Sequence, residues 1–172
     1  MSLMNNQIHW KYVYPIGLLL VMLADGQISN GLRTLSHNSL FLSSHLFLLG
    51  LIMGSLYFSK TYMVTLSIVL GWIFDNYYYS ILGINMVSLP LTVLLIYLVF
   101  EYVEPSILSL ILSLVIFITI MDSSLFLVQI VFKLIYSDAL VFITKQLGPT
   151  LLMNLAVVIL FSYPLRHLIK DR

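Results

Sequence analysis

The chain has 172 residues, 60% of them apolar and 9% charged, with a formal net charge of +1 and no cysteine. A soluble domain would carry roughly 25% charged residues, so the composition excludes that class and reads as an all-α integral membrane protein. It also excludes nucleic acid as a partner, which demands clustered Lys and Arg, and it removes disulfides, thiolate nucleophiles and sulfur metal sites together.

A helix needs about 20 apolar residues to cross a hydrocarbon core of ~30 Å. The chain reads as a single multi-pass transmembrane domain, 1–172, with six spans at 12–28, 40–58, 62–82, 86–100, 107–135 and 150–168. The first follows Lys11 and reaches Ala24-Asp25-Gly26; this pattern loosely imitates a signal peptide, but in a multi-pass chain it reads as an uncleaved span. A polar loop, Ser29 to Ser39, leads to the second, where Gly50 and Gly54 share one helix face and let a neighbour approach closely. Packing within the chain is the expected use of that face, ahead of dimerisation. After a turn at Ser59-Lys60, the third span carries Gly71, Asp75 and Asn76 and closes in Tyr77-Tyr78-Tyr79, read as part of an interfacial aromatic belt. Gly83 to Asn85 turns into the fourth span, and Glu101 to Pro105 into the fifth. At 29 residues the fifth is too long for one straight crossing. It must tilt, break near Asp122-Ser123-Ser124, or continue along the surface. The segment from Ser137 to Lys145 is short and amphipathic and is expected to lie in the outer interface.

Asp25, Asp75 and Asp122 are the candidates to carry chemistry. Counted at the helical rise from the inner end of each odd-numbered span, all three fall at about 20 Å depth, which suggests one polar layer. A charged side chain at bilayer depth costs at least ~2.5 kcal/mol, so each should face protein or water. No basic residue is expected inside a span at that level, leaving hydroxyls, Asn76, Ser123, Ser124, backbone, water or a proton as partners. The layer fits either helix-to-helix hydrogen bonding or a cation or proton site. His9, His37, His45 and His167 lie near span ends or in loops, without metal-ligand spacing, and are read as interfacial. No hydrolase, P-loop or zinc motif is present. No catalytic residue, metal or cofactor is expected, and the protein reads as a non-enzymatic one.

Placing the N-terminus in the cytoplasm puts Lys11, Lys60, Arg166, Lys170 and Arg172 inside and Arg33, Lys133 and Lys145 outside, so both termini are expected to be cytoplasmic.

The stretch GWIFDNYYYSILGINMVSLPLTVLLIYLV, with Gly71, Asp75 and Gly83 in register and Pro90 in the next helix, resembles the rod shape-determining protein MreD family. Tyr79 stands where many members have a further glycine. The resemblance implies a bacterial plasma-membrane scaffold of the cell-elongation and peptidoglycan-synthesis complex. Its implied partners are MreC directly, with MreB, RodA and a penicillin-binding transpeptidase in the wider assembly, and membrane lipid around it. It also implies the six-helix bundle of the substrate-binding components of energy-coupling-factor transporters. Two alternatives stay open: such a vitamin-binding component itself, and a small ion-coupled carrier using the aspartate layer.

Overall fold

The computed structural model describes residues 2–37, 39–79, 83–131, 133 and 138–160, and the described residues contain helices and no strand. Hydrocarbon offers backbone groups no partners, so each spanning segment must satisfy its own, and the chain responds with helix after helix. They are α1 Ser2–Leu35, α2 Leu46–Tyr57, α3 Lys60–Phe74, α4 Ile84–Tyr102, α5 Ile107–Val131, α6 Ala139–Phe142 and α7 Gly148–Leu160. A π-helical turn, Asp75–Tyr79, extends α3, and a second, Ile143–Leu147, joins α6 to α7. The result is six helical rods.

Four stretches are long and apolar enough to cross a membrane: Lys11–Leu35, Ile84–Tyr102, Ile107–Val131 and Ala139–Leu160. In α5, Phe117 and Ile118 are buried while Leu112 and Ile116 are exposed, the pattern of a helix with protein on one face and lipid on the other.

The second expected span departs most from the sequence reading. It is helical only from Leu46; Phe41 to His45 have no regular secondary structure, and His45 has φ -125° and ψ 35°. Twelve helical residues reach about 18 Å, short of a ~30 Å hydrocarbon core, so α2 is a short apolar helix preceded by irregular chain. The fifth span needs no break: α5 runs unbroken through Asp122, Ser123 and Ser124. The segment expected in the outer interface instead feeds straight into the last helix, since Ile143 and Gly148 both keep helical backbone angles. Residues 80–82, the end of the fifth span at 134–135 and the basic C-terminal stretch from Arg166 lie outside the described residues.

Small residues set the closest approaches. A Cβ on Gly71 would lie 2.6 Å from the Asn85 carbonyl oxygen and 2.7 Å from Met86 Cα, so only glycine lets α3 rest on the first turn of α4. On α2, a Cβ on Gly50 would meet Leu18 of α1 at 2.7 Å, and one on Gly54 would meet the ring of Tyr14. The Tyr14 hydroxyl donates to the Gly50 carbonyl at 2.6 Å. The glycine face of α2 is thus filled by side chains of α1 within the same chain. Around these contacts Met22, Leu51, Ile52, Met63, Leu89 and Ile118 form the buried apolar core.

Candidate functional site: two carboxylate caps and a buried ion pair

All three aspartates are buried, at 6% exposure for Asp25, 0% for Asp75 and 3% for Asp122. Two of them answer the same problem: a helix that begins in an apolar setting presents amide N–H groups that no preceding turn can satisfy.

Asp75 solves it for α4. Gly83 precedes the helix with a left-handed φ of 109° and no capping side chain, a backbone turn that glycine adopts without steric cost. Asp75 Oδ2 accepts from the Gly83 N–H at 2.9 Å and the Met86 N–H at 3.1 Å. Asp75 Oδ1 accepts from the Asn85 N–H at 2.8 Å and the Asn85 side-chain amide at 2.9 Å. Four donors converge on two oxygens, at the positive end of a helix dipole. The three motif residues therefore form one device. Gly71 brings α4 against α3, Asp75 one turn later accepts the free amides, and Gly83 bends the chain to present them.

Asp25 does the same for α2 from a different helix. The residue before α2 is His45, which makes no capping bond of its own; Asp25 Oδ1 and Oδ2 accept from the Leu46 N–H at 3.1 Å and the Phe47 N–H at 2.8 Å. The irregular residues ahead of it are held by further side chains. Ser44 N–H donates to Ser29 Oγ of α1, His45 N–H to Asn154 Oδ1 of α7, and Ser43 N–H to Thr150 Oγ1 of α7. The Asn154 amide donates back to the Ser43 carbonyl at 2.9 Å. A non-helical segment at membrane depth survives because it is buried in protein and its amides are paired.

Asp122 on α5 has a basic partner after all. His45 Nε2 lies 3.2 Å from Asp122 Oδ1, both side chains nearly inaccessible. The contact is at ion-pair distance without hydrogen-bond alignment, and Asp122 Oδ2 has no partner. His45 is therefore a buried member of the polar layer and not an interfacial residue; His37 is exposed.

The three carboxylates share no hydrogen-bond partner among the described residues. Asp25, His45 and Asp122 form one cluster around the start of α2, while the partners of Asp75 all lie between Gly83 and Met86. Asn76 is exposed and its amide donates to the Trp72 carbonyl one turn back, and the Ser124 hydroxyl donates to Ile120 in its own helix. Neither partners a carboxylate. Asn85, Thr150 and Asn154 carry no motif that marks them in the sequence, and His45 reads there as interfacial. The Ser43-Ser44-His45 run inside an apolar stretch is the available signal. Among the described residues no group of three His, Asp or Glu side chains could hold a metal.

No curated protein and no solved structure matches the chain, so the implied likeness to vitamin-transporter components finds no support there. The sequence model of the rod shape-determining protein MreD matches residues 6–172. That range takes in the Gly71, Asp75 and Gly83 device, both carboxylate caps and the His45 to Asp122 pair, and the chain belongs to the MreD family of rod shape-determining membrane proteins.

Proposed function

We propose that the protein is a non-catalytic scaffold of the cell-elongation complex, binding MreC directly and, through it, the wider wall-synthesis assembly that includes MreB, RodA and a penicillin-binding transpeptidase. The family match over nearly the whole chain carries this reading. The chemistry of the polar residues supports it: both carboxylate caps are engaged by helix amides, and Asp122 faces His45. What the bundle offers a partner is its lipid-facing surface and short connections. Large apolar side chains such as Leu91 and Leu98 on α4 and Leu112 and Ile116 on α5 are exposed, ready for contact with another membrane helix. Both termini are placed in the cytoplasm, with Lys60 on that side and Arg33 and Lys145 opposite, from the charge bias.

Co-expression with tagged MreC tests the proposal. Both chains should be recovered together after solubilisation, and the pair should survive gel filtration. Recovery of the protein with transporter coupling subunits, and none with MreC, would overturn it.

A further inference from the structure

We propose that the cleft between α1 and the start of α2 is a binding site for the phosphate group of an anionic phospholipid, with Arg33 as its principal recognition residue. This site is independent of the MreC reading. The cleft has a volume of about 360 Å³ and is lined by Ser29, Asn30, Arg33 and Ser44 on its polar side, with Phe47 and Phe74 among its apolar walls. Asp25 and His45 also line it.

Arg33 is the cationic group of the cleft that has no acceptor, in a lining that also holds the Asp25 carboxylate. Both oxygens of Asp25 are engaged by the first amides of α2, so its charge already faces a helix N-terminus. His45 and Asp122 face each other. Arg33 is left over: its Nε is buried with no acceptor, and among the described residues no carboxylate lies at ion-pair distance from it. Its guanidinium lies 5.9 Å from the centroid of the Phe41 ring, a contact that holds the group in place without neutralising it. A guanidinium donor without an acceptor is costly; Nε itself is sealed from solvent, so an anion in the cleft would meet the terminal guanidinium nitrogens and neutralise the group from that side.

The donor set favours phosphate. A guanidinium matches phosphate oxygens with two parallel N–H bonds. Beside it, Ser29 Oγ accepts from the Ser44 N–H, which leaves the Ser29 hydroxyl proton to donate. The position favours a lipid as the source. Arg33 stands two residues before the end of the Lys11–Leu35 span, and a basic side chain near a span end reaches toward the headgroup region.

The test uses the full chain in detergent and measures bound short-chain phosphatidylglycerol by native mass spectrometry, with inorganic phosphate as a competitor. Wild type should bind the lipid, and Arg33→Gln should weaken binding roughly tenfold or more, the worth of one charge-assisted contact. Arg33→Lys should fall between them, because it keeps the charge and loses the fork. Lys60→Gln, outside the cleft, should bind as wild type does. Melting temperatures without lipid report folding, and if Arg33→Gln fails to fold, Arg33→Lys carries the comparison alone. Competition by inorganic phosphate at similar affinity would keep the phosphate site and reassign its source to a soluble anion. Absence of lipid binding to wild type, or equal binding by wild type and both Arg33 variants, would overturn the proposal.

Discussion

Replacing Asp75 separates a structural anchor from a reactive carboxylate, and the geometry fixes the expected sizes. In Asp75→Leu, the Gly83, Asn85 and Met86 amides and the Asn85 side-chain amide lose their acceptors together. At ~1.5 kcal/mol for each buried donor left unpaired, the loss is about 6 kcal/mol, comparable to the whole stability of many domains. Asp75→Asn is milder. Its oxygen can take the place of Oδ2 and keep the Gly83 and Met86 bonds, and the Asn85 amide can rotate so that its own oxygen accepts from the new NH2 group. One backbone donor, Asn85 N–H, is then unpaired, and the charge at the helix N-terminus is gone, for a total of about 2 to 3 kcal/mol. Unfolding in detergent, read as denaturant midpoints for wild type, Asn and Leu, should give that order with Asn nearer to wild type. Recovery with MreC and rod-shape complementation should follow the same order. A Leu variant as stable as the Asn variant would refute the capping argument. Normal stability and assembly with equal, complete loss of shape control in both would instead make the charge itself the working element.

Three further outcomes follow from the same geometry. Gly71→Ala should destabilise by about 1 to 3 kcal/mol because its Cβ would press on the Asn85 backbone. Gly17→Ala, with nothing within 4 Å of the new Cβ, should be neutral or stabilising by about 0.5 kcal/mol; equal effects on the melting temperature would refute the close-packing account. His45→Leu should cost about 3 to 5 kcal/mol by stranding Asp122, and His45→Leu with Asp122→Leu should be more stable than the single variant; strictly additive losses would show the pair to be uncoupled. In this cysteine-free chain, single cysteines at Thr34, Lys60 and Lys145, all exposed, can be probed in intact cells with an impermeant thiol reagent. Labelling should appear at 34 and 145 and not at 60, and the reverse would invert the orientation.

The parts of this fold visible in the sequence are those whose physics is local. Asp75 and its four donors lie within eleven residues of chain, so the spacing of Gly71, Asp75 and Gly83 already contained the device, and α4 and α5 follow from unbroken apolar composition. The start of α2 was hidden for the opposite reason. Hydropathy measures how willingly side chains leave water and is silent on whether the backbone can pair its amides. Phe41 and Leu42 made residues 40–58 look like a uniform span, while the conformation of 41–45 depends on Ser29, Thr150 and Asn154, the last two more than 100 positions away. His45 was misplaced with them, since only the arrival of α5 gives it Asp122.

That dependence imposes an order of assembly. The hairpin of α3 and α4 carries its own cap and can settle in the bilayer as soon as both helices have left the ribosome and the insertion machinery. The segment from Phe41 to His45 cannot, because the groups that receive its Ser43 and His45 amides are on α7, more than 100 residues later. Those two amides gain their native partners only once α7 has been made. Substitutions at Thr150 or Asn154 would therefore be sensed near the N-terminal end of the protein, as a second span that never locks into place and is left exposed to membrane proteases.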